Sequence, residues 1–446
     1  MSTWRLIPGD ALAQLRKLPA ESAHCVITSP PYWGLRDYGL PPLAWEPVRF
    51  APMPGMPDLE APAWQGCLGL EPEPILFVAH MVAIFREVRR VLRADGTCWV
   101  NLGDCYATGA GRVGDDKRGY RGDRLANGRG DQPAVLRRKT RATRDGSHSG
   151  RHTAIAAMGP MTQPNSMPIQ GLKPKDLVGL PWRVALALQA DGWWLRSDVV
   201  WNKPNPMPES VADRPTKAHE YLFLLTKRGR YFYDAKAIRE PRTSDEDARG
   251  FRGGAYVQGR AFENSGTGGK RADIGNDRVS PEGKRNKRSV WTVATQPFPE
   301  AHFATFPPKL IEPCVLAGTS ARGCCLACGA PVARKVVKVG TASAGGGRRA
   351  VADAREATTR PQGPTGAMAT GEWATYATAG WEGSCSCAAP VVPCTVLDPF
   401  NGAGTTGVVA VGRGRSYLGI ELNPDYLAMS EQRIAGVAPL LARQVR

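Results

Sequence analysis

Val26-Ile27-Thr28-Ser29-Pro30-Pro31-Tyr32-Trp33 is the stretch that decides the fold. The apolar run Cys25, Val26, Ile27 reads as a buried strand of a parallel sheet. It stops at Ser-Pro-Pro, because neither proline can donate to a strand ladder and each restricts the residue before it. A stiff turn therefore stands at the carboxyl end of a strand, with carbonyl oxygens that lack ladder partners. Two aromatic faces, Tyr32 and Trp33, follow at once. In open α/β sheets the ligand crevice lies at the carboxyl ends of the strands. Acceptors beside a flat face there suit a flat, amino-bearing ring such as a nucleobase. A plain proline turn with the aromatics as core fits the same residues.

Working outward, the chain of 446 residues exceeds one ordinary domain, and 42% hydrophobic content is enough for a sizeable core. The net charge of +17 points to a polyanionic partner, with a merely solvated basic surface as the alternative. Neither a signal peptide nor an apolar run long enough to span a bilayer is evident, so a cytoplasmic location without membrane contact is expected. In that compartment the 11 cysteines are reduced thiols or metal ligands.

Gly9-Asp10 opens a short helix with Leu12, Leu15 and Leu18 on one side, stopped by Pro19. Gly34 to Gly69 is rich in proline and glycine and reads as a long surface loop. From Pro72 a helical pattern runs through Ile75, Val78, Met81, Val82, Phe85, Val88 and Leu92, and Asp95-Gly96 is expected to end it. Thr97 to Leu102 is the next strand. Strand, helix, strand favours a parallel sheet. Ala107 to Gly171 breaks the rhythm, with a basic cluster at Arg137-Arg138-Lys139-Thr140-Arg141 suited to tracking phosphates. An unrelated disordered insert is the other reading. Order returns with a helix over Leu180 to Ala190, a strand over Trp193 to Trp201, and a proline-rigid loop from Asn202 to Pro208. Trp193 and Trp194 are expected in the core. Glu220 to Thr226 is a further strand. Glu240 to Arg288 is again Gly- and Arg-rich and ends in the basic run Lys284-Arg285-Asn286-Lys287-Arg288.

Cys325-x-x-Cys328 and Cys385-x-Cys387 flank a Gly/Ala/Thr-rich insertion. Four thiolates in two close pairs match a tetrahedral structural zinc site, against the alternative of leftover reduced thiols. Cys324 and Cys394 compete as ligands. Next comes Val396-Leu397-Asp398-Pro399-Phe400-Asn401-Gly402-Ala403-Gly404-Thr405-Thr406, an apolar strand, a turn with two glycines and the start of a helix. Glycines there let the backbone approach a ligand, and the helix amides favour a carboxylate. Tyr417 to Asn423 is a strand ending in Glu421, an acid placed to accept hydrogen bonds from two ribose hydroxyls. Pro424 to Arg433 closes with a helix. A dinucleotide fold shares the glycine turn and the acid, so a nicotinamide oxidoreductase remains a reading of this half alone.

Ile27-Thr28-Ser29-Pro30-Pro31-Tyr32 resembles the catalytic motif of the DNA amino-methyltransferases, in the serine form associated with the exocyclic amine of cytosine. The glycine turn and Glu421 resemble that family's S-adenosylmethionine motifs. The order, catalytic motif first and cofactor motif last, is similar to the circularly permuted branch. The resemblance implies an α/β, Rossmann-like methyltransferase fold with a mostly parallel twisted sheet and helices on both faces; the basic insertions and the small zinc-binding loop, read from composition and cysteine spacing, fall outside it. It divides the chain into a catalytic half (1–106 and 172–239), a basic flexible insertion (107–171), a candidate target-recognition region (240–290) and a cofactor-binding half (291–446) with the zinc-binding insertion at 322–390.

The resemblance further implies Ser29, Pro30, Pro31 and Tyr32 as catalytic residues. Asp10, Thr305, Phe306, Asp398, Phe400, Asn401, Gly402, Gly404, Thr405, Thr406, Glu421 and Asn423 would serve the cofactor; the zinc ligands Cys325, Cys328, Cys385 and Cys387 rest on their spacing alone. The implied activity is methyl transfer from S-adenosylmethionine to a base rotated out of double-stranded DNA, cytosine N4 first and adenine N6 second. A non-catalytic zinc-containing DNA-binding protein is the competing class. The resemblance also implies a bacterial or phage-encoded protein and allows a cognate restriction nuclease. Monomer and homodimer both stay open. Cys314 and Cys394 are read as structural, against a cysteine nucleophile.

Overall fold

The alternation of Cys25, Val26 and Ile27 is realised as a strand with both faces covered. The structure is a computed structural model and describes residues 3–34, 39–107, 171–209, 211–241, 284–296, 305–343 and 372–437. The basic cluster at 137–141 and residues 242–283 of the candidate recognition region lie outside the described residues. So do residues 108–170 and 344–371.

Eight strands form the main sheet: β1 (Trp4–Pro8), β2 (Ala23–Thr28), β3 (Leu92–Leu102), β4 (Trp194–Asn202), β5 (His219–Thr226), β6 (Val290–Thr292), β7 (Thr395–Asp398) and β8 (Ser416–Glu421). Their spatial order is β1-β8-β7-β2-β3-β5-β4-β6. β5 runs antiparallel to both of its neighbours, and the remaining pairs are parallel. β2 and β7, far apart in sequence, are adjacent, with Val26 opposite Leu397. The turns after Thr28 and after Asp398 therefore emerge side by side at the carboxyl ends of two central strands.

Helices cover both faces. On one side α1 (Ala11–Lys17), α2 (Pro74–Val91) and α3 (Leu180–Ala190) pack with Val26, Cys98 and Phe223. On the other, α4 (Pro308–Gly318), α5 (Thr405–Gly412) and α6 (Pro424–Val437) pack with Cys25, Ile27 and Trp99. Neighbouring strand residues thus serve opposite cores, which is why these strands read as continuous apolar runs. Phe77, Met81, Phe85 and Val88 of α2 are fully buried, each worth roughly 1.5–3 kcal/mol of burial. Arg90 reaches from α2 to the carbonyls of Leu15 (2.7 Å) and Leu18 (2.9 Å), satisfying acceptors at the end of α1.

Three expectations are corrected. The long helix ends at Val91, not at Asp95-Gly96, and β3 begins at once with an irregularity between Ala23 and Cys25 on its partner. Gly96 sits where a Cβ would come within 2.8 Å of the His24 carbonyl, so this glycine admits a neighbouring strand and caps no helix. Gly34 to Gly69 is no plain loop. It forms two short antiparallel ribbons, Leu43–Trp45 with Trp64–Gly66 and Val48–Phe50 with Leu59–Ala61, whose Trp45 and Phe50 are buried. Trp194 is exposed, whereas Trp193 is core, because adjacent residues point in opposite directions at the start of β4.

The chain divides into two compact units, one of residues 1–233, 289–319 and 393–446 and one of 234–288 and 320–392. The second contains a long antiparallel hairpin, Val332–Ser343 with Glu372–Gly383, and the short pair Cys324–Cys325 with Val391–Val392. Within it Arg334 binds Asp234 at 2.8 Å and lies 4.4 Å from the Trp381 ring centroid. In the basic run, Arg285 and Arg288 pair with Glu240 at 2.9 and 3.0 Å. Among the described residues no helix is long and apolar enough to cross a membrane.

Candidate active site

The turn after β2 is held by polar contacts from two other strands. Ser29 Oγ donates to Tyr32 Oη at 3.4 Å, and Tyr32 Oη donates to Glu220 Oε2 at 2.7 Å. Asn101, near the end of β3, donates to Glu220 Oε2 and to the Tyr221 carbonyl, each at 3.1 Å. Lys203 closes the group by pairing with Glu220 Oε1. Lys203 also lies 4.3 Å from the Trp201 ring centroid. The Tyr32 ring passes so close to Gly103 that a Cβ there would come within 2.6 Å of its Cε2. Lys217 donates to the Asp104 carbonyl at 2.6 Å, and burial lowers its pKa against the attraction of Asp104 and Glu220.

Trp33 does not present a face to ligand. It is 1% exposed and donates to the Glu71 carbonyl at 2.8 Å. Glu71 in turn accepts the Gly69 amide (2.8 Å) and meets His80 Nδ1 (2.8 Å), whose ring stacks on Trp45. Gly69 accepts from the Gly34 amide at 2.9 Å. The chain leaving the Ser-Pro-Pro turn is thereby fixed from inside the core.

The neighbouring corner, after β7, is built around a buried carboxylate. Asp398 Oδ1 accepts the Thr28 hydroxyl at 2.7 Å and the Phe400 amide at 3.1 Å, and Oδ2 accepts the Thr406 hydroxyl at 2.7 Å. Burial pushes Asp398 up to about 6, against these hydrogen bonds. Asp398 therefore ties the last residue of β2 to the first turn of α5. Glu421 Oε2 accepts the Gly402 amide (2.7 Å), and Oε1 accepts the Asn423 amide (2.8 Å). Burial raises the Glu421 pKa, and the two amides oppose the rise. Both of its oxygens retain a lone pair, so further hydroxyl donors can be accepted. Asn401 Oδ1 accepts the Tyr417 hydroxyl at 2.7 Å. Gly404 has φ +78°, and a Cβ there would come within 2.6 Å of Ser430 Cβ, so α6 packs against bare backbone.

One cavity of about 780 Å³ spans both corners. Its wall includes Ser29, Pro30, Pro31 and Tyr32 from the first corner and Phe400, Asn401, Gly402, Thr405, Glu421 and Asn423 from the second. Asp10, which also caps α1 by accepting the Ala13 amide at 2.8 Å, joins them with Thr305 and Phe306. Asp398, Gly404 and Thr406 stand behind the wall and brace it. Lys203, Lys217, Glu220 and Asn101 also line it. Lys203 belongs to the proline-rigid loop already read from the sequence, whereas Asn101, Lys217 and Glu220 were given no role there. The one available signal was Glu220 itself, a carboxylate opening an otherwise apolar strand, which needs partners to be buried. Of the described cysteines, Cys67 lines the cavity, while Cys314 and Cys394 are buried elsewhere.

In the second unit the Sγ atoms of Cys325, Cys328, Cys385 and Cys387 all lie within 4.8 Å of one another. Gly329, at φ +69°, turns the chain so that its amide meets the Cys325 carbonyl at 2.8 Å. The Cys325 thiol falls to about 7, chiefly because it accepts the Cys328 amide. Four converging sulfurs on two tight turns fit a tetrahedral zinc ion.

An open, mostly parallel sheet, helices on both faces and a crevice at the strand ends make this a Rossmann-like methyltransferase fold. A profile of the N6/N4 methyltransferase family, described as DNA methylase, matches residues 23–326 and 394–432. The chain is 36% identical over 431 residues to the Type II methyltransferase M.Cfr9I of Citrobacter freundii, covering 97% of this chain and 87% of that one. It is 32% identical over 430 residues to M.SmaI of Serratia marcescens, covering 96% and 90%. Among solved structures it is similar to PvuII DNA methyltransferase (cytosine-N4-specific), with a TM-score of 0.46 and 13% identity over 100% of this chain and 89% of that one. The chain belongs to the N6/N4 DNA methylase family. Residues 327–393, which carry three of the four clustered cysteines, fall outside the family match.

Proposed function

We propose that this DNA methyltransferase moves a methyl group from S-adenosylmethionine to the exocyclic amino nitrogen of a base rotated out of double-stranded DNA, with cytosine N4 as the target. The observation that carries the reading is the single cavity joining Ser29-Pro30-Pro31-Tyr32 to Gly402 and Glu421. The serine in the motif favours cytosine, and adenine N6 is the alternative.

Bound S-adenosylmethionine supplies an electrophilic methyl group on a sulfonium. Glu421 would accept the ribose hydroxyls, and the amides opening α5 would favour the methionine carboxylate. Phe400, Asp10, Thr305 and Phe306 complete the walls. The base amine is a weak nucleophile because its lone pair is delocalised into the ring. Ser29 Oγ and the Pro30 carbonyl accept its two hydrogens and favour a more tetrahedral nitrogen. Tyr32 stacks on the base, and the site works mainly by alignment. The proton released by the methylated amine would leave through Ser29 and Tyr32 to Glu220, each hydroxyl donating in that direction.

The catalytic corner precedes the cofactor corner in sequence, which supports a permuted member of the family. The relatives' description as Type II methyltransferases supports a restriction-modification setting, a cytoplasmic location and a partner nuclease. We assign DNA phosphate contact to the basic segments within 107–171 and 240–290. The reading is tested by incubating the protein with DNA and labelled S-adenosylmethionine, then digesting to nucleosides for mass spectrometry. N4-methylcytosine is expected. N6-methyladenine alone overturns the cytosine assignment, and absence of label overturns methyl transfer itself. Sequencing the methylated DNA locates the target.

The four-cysteine cluster is proposed as a closed structural zinc site. Elemental analysis of the purified protein is expected to find one zinc per chain, lost in the Cys328→Ser/Cys387→Ser variant together with part of the thermal stability. Metal-free protein with four freely titrating thiols there would sink the assignment.

A further inference from the structure

The loop that leaves β4 carries a side chain that the mechanism above does not use. Pro204, Pro206 and Pro208 restrict its backbone. Asn205 pins its middle, donating to the Thr295 carbonyl at 3.2 Å and accepting the Thr295 amide at 2.9 Å. Its near end is held by the Lys203 amide on the Ala218 carbonyl at 2.8 Å. Its far end is held by Glu209, which pairs with Arg214 at 2.7 Å. On this fixed loop Met207 is 85% exposed, the largest value among the exposed large apolar side chains of the described residues. Met207 also lines the cavity that receives the base. The contacts on either side hold the loop backbone while Met207 stands in solvent.

We propose that Met207 is the wedge that enters the duplex and fills the space vacated by the rotated nucleotide. The inference rests on the DNA methyltransferase reading and adds the residue that stabilises the open duplex. Extrusion leaves a gap between two base steps, and the neighbouring bases close it unless something apolar occupies it. Methionine is a known type of wedge because its unbranched, polarisable side chain fits between flat rings. Lys203 and Lys217 line the same cavity and supply positive charge toward the phosphates of the displaced nucleotide. Because Met207 is solvated in the free protein, removing it does not open a cavity in the core.

The test compares Met207→Gly and Met207→Leu with the wild type, on duplexes carrying the mapped target. In one duplex the target base is paired; in the other its partner is an abasic site, which makes extrusion cheap. Single-turnover methylation by Met207→Gly is expected to fall by about tenfold or more on the paired duplex and to recover to within about threefold of wild type on the abasic duplex. Met207→Leu retains most activity on both. Unchanged melting temperature and unchanged S-adenosylmethionine affinity accompany the effect. Wild-type rates for Met207→Gly on the paired duplex overturn the wedge, as does an equal loss on both duplexes or a weakened cofactor affinity. If the wild type methylates neither duplex, the methyltransferase reading fails and takes the wedge with it.

Discussion

Two carboxylates stand at neighbouring corners of one sheet and do opposite work. Asp398 is sealed in, with hydroxyls from Thr28 and Thr406 and one amide as its partners and, among the described residues, no cation. Glu220 faces the cavity, paired with Lys203 and reached by Tyr32 and Asn101. A buried acid with neutral partners favours its protonated form, and it rises accordingly. Glu220, with Lys203 beside it at the cavity wall, orders the donors Tyr32 and Asn101. The same functional group thus stitches two strands together in one place and gathers polar side chains at the cavity wall in the other.

The comparison is broken or sharpened by three substitutions. The largest effect is expected from Tyr32→Ala, which removes the stacking face and the link between Ser29 and Glu220. Its kcat is expected to fall on the order of a thousandfold, with cofactor affinity unchanged, because the cofactor corner is untouched. An equal loss of cofactor binding, read by calorimetry, would mean that the corners are not separable.

Asp398→Asn acts through stability. The native carboxyl titrates near 6, above its ordinary 3.8, so its contribution to stability is fully present below about 3.8 and is lost as pH rises to about 6. A gap of roughly two pH units, at about 1.4 kcal/mol each, makes this about 3 kcal/mol. The wild-type unfolding free energy minus that of Asp398→Asn is therefore expected to drop by that amount between pH 4 and 6, and to stay flat above. A difference that is level across this window would show that the carboxyl is not held as described.

Glu220→Gln tests the other acid. The amide still accepts from Tyr32 but takes no proton, so single-turnover methylation is expected to slow by roughly 30-fold with KM for DNA little changed. Partial recovery in Glu220→Asp separates proton acceptance from mere scaffolding. Full activity in Glu220→Gln would reduce Glu220 to a hydrogen-bond acceptor for Tyr32.

Much of this molecule was legible because its signals are local. Pro30 and Pro31 must end a strand wherever they occur, and Gly402 and Gly404 must allow close backbone approach. The helix over Leu180–Ala190 also follows from its proline and apolar spacing. The misreadings share a cause as well. Gly96 looked like a helix stop, but its role is set by the His24 carbonyl of another strand. The ribbons hidden in Gly34 to Gly69 are too short to show a period, and only packing of Trp45 and Phe50 reveals them.

The sequence by itself determined the alternating strands and helices, the two turn-forming corners and the paired cysteines, since backbone restriction and apolar spacing act between near neighbours. Only the tertiary structure decided that β2 and β7 lie side by side, that Asp398 closes inward while Glu220 opens outward, and that Met207 stands unburied at the cavity. Those outcomes depend on which strands pair and in which direction, and a side chain's partner across a sheet leaves no mark on its own stretch of chain.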